Sequence, residues 1–183
     1  FDIRQEDTLV EPQHLEQRFE AVVANPPFSA KWKGSGNPLN ETDDRFSQYG
    51  AIAPASKADF AFLQHMISQM SDNGVAAAIM PHGILFRGNA EYKIRKYIIE
   101  NQNYLDAVIG LPSNLFYGTD KEVCIIVLKK CREHSDNVFF IDASENYETS
   151  SGNNLLSDSN IDEIIDSYKN RENVDRYSRK VSI

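Results

Sequence analysis

Asn25-Pro26-Pro27-Phe28 is the stretch of this chain whose residue types could act together on a substrate. The Asn25 side chain offers a carbonyl oxygen that accepts hydrogen bonds. Pro26 has no N–H, yet its backbone carbonyl is a second acceptor. Two acceptors held side by side match the two hydrogens of a primary amine or amide nitrogen. Engaging both hydrogens turns the nitrogen lone pair away from the site wall and toward an electrophile. Pro27 stiffens the backbone, so the acceptors need little reorganisation. Phe28 presents a flat apolar face suited to stacking on a planar substrate.

The other reactive side chains are less informative. Cys124 lies in an apolar run and Cys131 just beyond it, so both read as inert thiols. Two cysteines form neither a disulfide framework nor a four-thiolate zinc site. His14, His65, His82 and His134 show no metal-ligand spacing, and no metal is expected. Pro81-His82-Gly83 ends an apolar run and reads first as a turn. Gly34-Ser35-Gly36 follows no strand, and Pro38 stands where a helix would have to start, so it is not a phosphate-binding turn.

The elements that must position Asn25 follow from apolar spacing. Phe19–Ala24 is a short β-branched run stopped by the two prolines, a buried strand expected at the centre of a sheet. Phe1–Arg4 reads as the end of an earlier strand. Residues 29–56 lack periodicity and carry Gly34, Gly36, Pro38, Gly50 and Pro54, the mark of a functional or disordered segment. Ser56–Asp59 resembles a capping box opening a helix over Ala58–Ser71, with Phe60, Leu63, Met66, Ile67 and Met70 on one face. Asn73-Gly74 is expected to close it. Val75–Met80, Leu105–Leu111, Val123–Leu128 and Val138–Ile141 are further strands. Asn89 is placed to cap a helix reaching Glu100, and Ile161–Tyr168 forms a last helix. Strands alternating with helices indicate an α/β domain, with a mixed, mostly parallel sheet covered by helices on both faces. The short link between Leu111 and Val123 makes that strand pair antiparallel. Ligands in such sheets sit beyond the carboxyl ends of the strands, where Asn25 lies.

The chain has 183 residues, 41% hydrophobic and 25% charged, which fits a folded domain and excludes disorder or a fibrous repeat. No apolar run is long enough to span a bilayer, and no membrane partner is expected. The first residues lack the pattern of a secretory signal, and with two cysteines a reducing, cytoplasmic setting fits. A net charge of −8 argues against a free-standing nucleic-acid binder. The charge is uneven, with eight basic and five acidic residues from Arg87 to Arg132 against five basic and eleven acidic after it.

Val22-Val23-Ala24-Asn25-Pro26-Pro27-Phe28 resembles the catalytic motif of amino-directed, S-adenosylmethionine-dependent methyltransferases. The wider chain is similar to the modification (methylation) subunit of type I restriction–modification systems. That similarity rests on Lys57–Phe62, Leu85–Gly88, Ile109–Thr119 and the stretches from Tyr168 to Arg179. It implies a partial Rossmann-like methyltransferase fold and adenine-N6 methylation of double-stranded DNA with the target base flipped out. It further implies partnership with a DNA-specificity subunit and a restriction subunit. By the resemblance, Asn25 and Pro26 hold the adenine amine, Pro27 stiffens the turn and Phe28 stacks on the base. Phe116 presses on the base from its edge or other face. Asp7 lies near the adenine of the cofactor, and Asn25 borders the cofactor site.

The family's glycine-rich turn after its first strand, and the acidic residue after its second, are absent from this sequence. The chain is therefore expected to be a later portion of a methyltransferase domain, binding no S-adenosylmethionine and methylating nothing alone. Residues 1–145 form the partial catalytic domain, and 146–183 an acidic extension with one helix. A protein-glutamine or RNA-adenine methyltransferase, and a non-catalytic DNA-binding scaffold, are the alternatives. A C5-cytosine enzyme is excluded, because it needs a nucleophilic cysteine beside a proline.

Overall fold

The structure, a computed structural model, describes residues 2–116, 121–149 and 152–183. Phe1 and Tyr117, Gly118 and Thr119 of the sequence motif lie outside the described residues. The chain runs β1 (Phe19–Ala24), α1 (Asp59–Gln69), β2 (Met70–Pro81), α2 (Asn89–Lys96), β3 (Leu105–Gly110), β4 (Val123–Lys129) and β5 (Asn137–Asp142). A small hairpin, β6 (Glu148–Thr149) and β7 (Asn154–Leu155), leads to α3 (Asp158–Asn170) and β8 (Ser178–Ser182). Among the described residues, six strands form one sheet in the order β1-β2-β4-β3-β5-β8. β1 pairs parallel with β2, and β3 with β5, while β4 and β8 run antiparallel to their neighbours. The carboxyl ends of β1, β2, β3 and β5 therefore share one edge of a mixed α/β sheet.

Both faces are covered, as the apolar alternation predicts. Phe60, Leu63, Met66 and Ile67 of α1, with Ile94 of α2, pack on Ala76, Ala78, Met80, Ile126 and Leu128. On the opposite face, Ile164 and Tyr168 of α3 pack on Ala107, Ile109, Val127, Phe139 and Ile141. The antiparallel β3–β4 pair is present, with Ile109 opposite Ile125.

Several expectations are corrected. β1 is an outer strand, hydrogen-bonded to β2 alone, and not central. Its apolar pattern describes what the strand is fit to be buried by, and among the described residues none covers Val23, which is 82% exposed. Asp59 does not complete a capping box; Ala58 occupies the cap with no side-chain bond. Met70 turns from helical to extended backbone and opens β2, so Asn73-Gly74 lies within that strand and does not close the helix. Gly74 is required there, since a Cβ would stand 2.9 Å from the Phe19 carbonyl oxygen. Asn89 is not the cap of α2, which is Gly88. Residues 2–4 form no strand. Residues 29–56 are folded through three short 3-10 turns, with Phe46, Tyr49 and Ala53 buried in the α1 face of the core. β8, which no apolar run announces, pairs with β5.

Candidate functional site

β1 delivers Asn25 to the carboxyl edge of the sheet. The prolines stop the ladder abruptly, because neither can donate to it. Asn25 and Pro27 are exposed, Pro26 is buried and Phe28 half-buried. Among the described residues, none hydrogen-bonds the Asn25 side chain or the Pro26 carbonyl. Two acceptors on adjacent residues are thus unengaged among the described residues, on a backbone that the prolines hold.

Phe28 points to the α3 face of the sheet, where it packs against the same apolar cluster as Ile79, Leu115 and Phe116. The Phe28 and Phe116 rings meet edge to face, with centroids 5.9 Å apart and planes at 85°. Sequence spacing could not have joined residues 88 positions apart; the segments that leave β1 and β3 at one edge of the sheet meet there. The rings are too close and too steeply inclined to admit a flat molecule between them. A planar substrate stacked on one ring would therefore meet the other at its edge, unless Phe116 swings away.

Immediately after Phe28, Ser29 adopts a left-handed conformation at φ 52°. Its N–H donates to Asp59 Oδ1 at 2.7 Å, and the Asp59 carboxylate pairs with Arg87 at 2.6 Å. The next residues are stitched to the start of α1: Ala58 N–H donates to the Ala30 carbonyl, and Trp32 N–H to that of Ala55. Sequence reasoning missed this arrangement, since a local capping pattern was the only signal at Asp59.

Asp7 stands apart from the Asn25 turn. Its carboxylate accepts the N–H groups of Leu9 and Val10, as a turn residue does. Its neighbours Glu6 and Thr8 line a small cleft with Phe19 and Gln69, at the amino end of β1. His82 lies at the carboxyl edge, but in a separate cleft of about 700 Å³ with Gly110, Cys124, Phe140 and Asp142. Its Nδ1 sits 3.4 Å from Glu122. Burial pushes the Cys124 thiol up to about 12, so it is no nucleophile at neutral pH.

A nucleoside-type cofactor needs close backbone approach at a glycine-rich turn and an acidic group for its ribose. No helix among the described residues is long and apolar enough to cross a membrane.

Comparison with known proteins agrees with this geometry. The type I restriction enzyme MpnII methylase subunit of Mycoplasma pneumoniae is 42% identical over 91% of this chain and 30% of its own length. The MjaIX methylase subunit of Methanocaldococcus jannaschii is 30% identical over 92% of this chain and 31% of its own. The chain thus spans about a third of the length of these relatives. The crystal structure of a type I restriction–modification methyltransferase subunit from Streptococcus thermophilus superposes with TM-score 0.89. It is 44% identical, over 96% of this chain and 37% of that one. The model of the N-6 DNA methylase family matches residues 1–183, and the chain belongs to that family.

Proposed function

We propose that the chain is part of the catalytic domain of a type I modification subunit that methylates adenine N6 in double-stranded DNA. The observation that carries this reading is the unengaged acceptor pair of Asn25 and Pro26 beside the Phe28–Phe116 corner, in a chain of this family. An adenine amine is unreachable while stacked and paired, so the base must leave the duplex to meet this edge. Phe28 stacks on the extruded base, and Phe116 bears on its rim. Asn25 Oδ1 and the Pro26 carbonyl each accept one amine hydrogen. That withdraws the nitrogen lone pair from conjugation with the ring and aims it outward. Pro27 keeps both acceptors in place, so they stabilise the charge that develops on nitrogen without reorganising.

S-adenosylmethionine supplies an electrophilic methyl group when bound. On the side of this chain Asn25 borders it, and Asp7 is assigned to its adenine; Asp7→Asn tests that assignment separately through cofactor affinity. In the complete protein the free edge of β1 is paired by a further strand, and alone the 183-residue chain neither binds the cofactor nor transfers methyl. A DNA-specificity subunit and a restriction subunit are the partners, and residues 146–183 extend the catalytic unit of 1–145.

The test is product identification. The complete subunit, assembled with its specificity subunit, is given methyl-labelled S-adenosylmethionine and duplex DNA, and the DNA is digested to nucleosides. Label in N6-methyladenine is expected. Label only in RNA adenine or in protein glutamine would replace this reading, and no transfer to any acceptor would make the chain a scaffold.

A further inference from the structure

We propose that Asp59 is a positioning residue for the Asn25–Phe28 turn, acting through Ser29, with Arg87 and Glu91 holding its carboxylate in place. The inference rests on the function proposed for that turn.

Ser29 is the residue whose backbone decides where Phe28 and the proline turn point. Its φ of 52° is a left-handed conformation that L-residues other than Asn and Asp seldom adopt. Such a residue persists only where its surroundings over-determine it. Here the constraint is visible: its N–H donates to Asp59 Oδ1 at 2.7 Å, and its hydroxyl lies 3.5 Å from Oδ2.

Asp59 is unusual in where it spends its charge. It is the first residue of α1, where an aspartate ordinarily serves the free N–H groups of its own helix. Instead it reaches back thirty residues to a loop amide, while its side chain is only 1% exposed. A buried carboxylate needs a cation and full hydrogen bonding. Arg87 provides the cation, with one nitrogen 2.6 Å from Asp59 and 3.1 Å from Glu91. The guanidinium lies where a Cβ on Gly83 would stand, 2.4 Å from Nε, so Gly83 leaves room for it. Ser29, Asp59, Arg87 and Glu91 thus form one hydrogen-bonded chain around the buried Asp59 and Glu91 carboxylates. It ties the end of the Asn25–Phe28 turn to the starts of α1 and α2 and to the turn after β2. Two stretches that the sequence singles out separately, around Asp59 and around Arg87, meet at this point.

The consequence is specific. Without the Asp59 acceptor, Ser29 relaxes toward negative φ, and the peptide that aims Phe28 at Phe116 rotates. Methyl transfer then suffers through misplacement, while cofactor affinity, which does not involve Ser29, is unchanged.

The experiment uses the complete subunit with its partners. Asp59→Ala, which removes the acceptor that an asparagine would keep, is expected to lower kcat about 10–100-fold with the S-adenosylmethionine Kd unchanged. Ser29→Gly, which reaches φ near +50° freely, is expected to be close to wild type. In the double variant D59A/S29G it should restore most of the lost kcat, although the Arg87 ion pair stays broken. A merely structural Asp59 would show no such rescue, and that result, or wild-type kcat in D59A, would overturn the proposal. Should D59A fail to fold, Arg87→Lys takes its place, with kcat expected to fall about 3–10-fold and wild-type kcat overturning the proposal. Amide exchange at Ser29 needs no activity. It should be slow in the wild type and accelerate in D59A or R87K more than in β2; unchanged exchange refutes the clamp. If the wild-type complex methylates nothing, the function proposed for Asn25 fails, and the exchange result still decides the clamp.

Discussion

β1 and β8 occupy the two outer positions of one sheet, and only β8 has the residues of an edge strand. Its sequence, Ser-Arg-Lys-Val-Ser, places charge where an unpaired edge would otherwise invite association. The segment leading to it is fastened to the sheet by Asp106, whose buried carboxylate meets Tyr168 at 2.6 Å, Arg171 at 3.3 Å and Arg132 and Lys129 at 3.5 Å. Arg132 also bonds Asn103 and the Asn137 carbonyl. β1, by contrast, reads Phe-Glu-Ala-Val-Val-Ala, an interior sequence with Val23 in the open. Each side has a buried carboxylate: Asp106 joins β3 to α3 and the segment after it, while Asp59 joins the Asn25–Phe28 turn to the starts of α1 and α2. The unengaged Asn25 and Pro26 acceptors lie at the β1 side and the Asp106 cluster at the β8 side. A site leaves groups unengaged for its substrate, whereas a cluster such as that of Asp106 satisfies its groups.

The largest effect on that contrast should come from Asp106→Ala. Removing one member of a buried charge cluster leaves two arginines uncompensated, at a cost of about 3–5 kcal/mol. Denaturant unfolding of the complete protein checks it, and a loss below 1 kcal/mol would show that β8 is not fastened there.

Acid should sharpen the comparison next. Burial and the adjacent Arg45 lower His65 to about 4, with Asp43 opposing. Arg45 lies 3.2 Å from Nδ1, which as the acceptor requires a neutral ring. A histidine depressed in the folded state gives stability that is fully present above its unfolded value near 6.5 and is lost as pH falls toward 4. The loss is on the order of 2 kcal/mol, and His65→Gln should flatten that part of the pH profile. Asp106 behaves differently. Burial raises its pKa, but Tyr168, Lys129, Arg171 and Arg132 more than offset this, leaving it below the ordinary aspartate value. Its contribution is therefore present at neutral pH and lost only as pH falls below the carboxylate range. Amide exchange at pH 5 should show residues around His65 and β1 loosening before α3 and β8. The reverse order would contradict the comparison.

The smallest effect is expected from Val23→Lys in the 183-residue chain. At 82% exposure the change should alter stability by no more than about 0.5 kcal/mol. It should nonetheless reduce self-association, read by sedimentation, because the apolar edge is where copies would meet.

What sequence could reveal divides along the same line. The apolar runs of β2 to β5 and the helical spacing of α1 and α3 are local, and they were legible. β8 was not, because Ser-Arg-Lys-Val-Ser has no apolar run and is a strand only through its pairing with β5. The outer place of β1 was hidden, since strand order is not a property of the strand. Residues 29–56 have no period, yet Trp32 and Phe46 meet edge to face at 5.3 Å and anchor them. At Asp59 a local capping pattern lost to a partner thirty residues away. The turn at Asn25–Phe28, ending β1 at the carboxyl edge, was readable from four consecutive residues. Its corner with Phe116 came from resemblance, and Asp7 stands at the other end of β1.

Asn25 is proposed to hold the amine that receives the methyl group. In the complete subunit with its partners, Asn25→Ala should reduce N6-methyladenine formation by about 10²–10³-fold, by analogy with the loss of one preorganised hydrogen-bond group. S-adenosylmethionine binding, measured by calorimetry on the same preparation, should remain within about twofold of wild type. Near wild-type turnover in that variant would contradict the account.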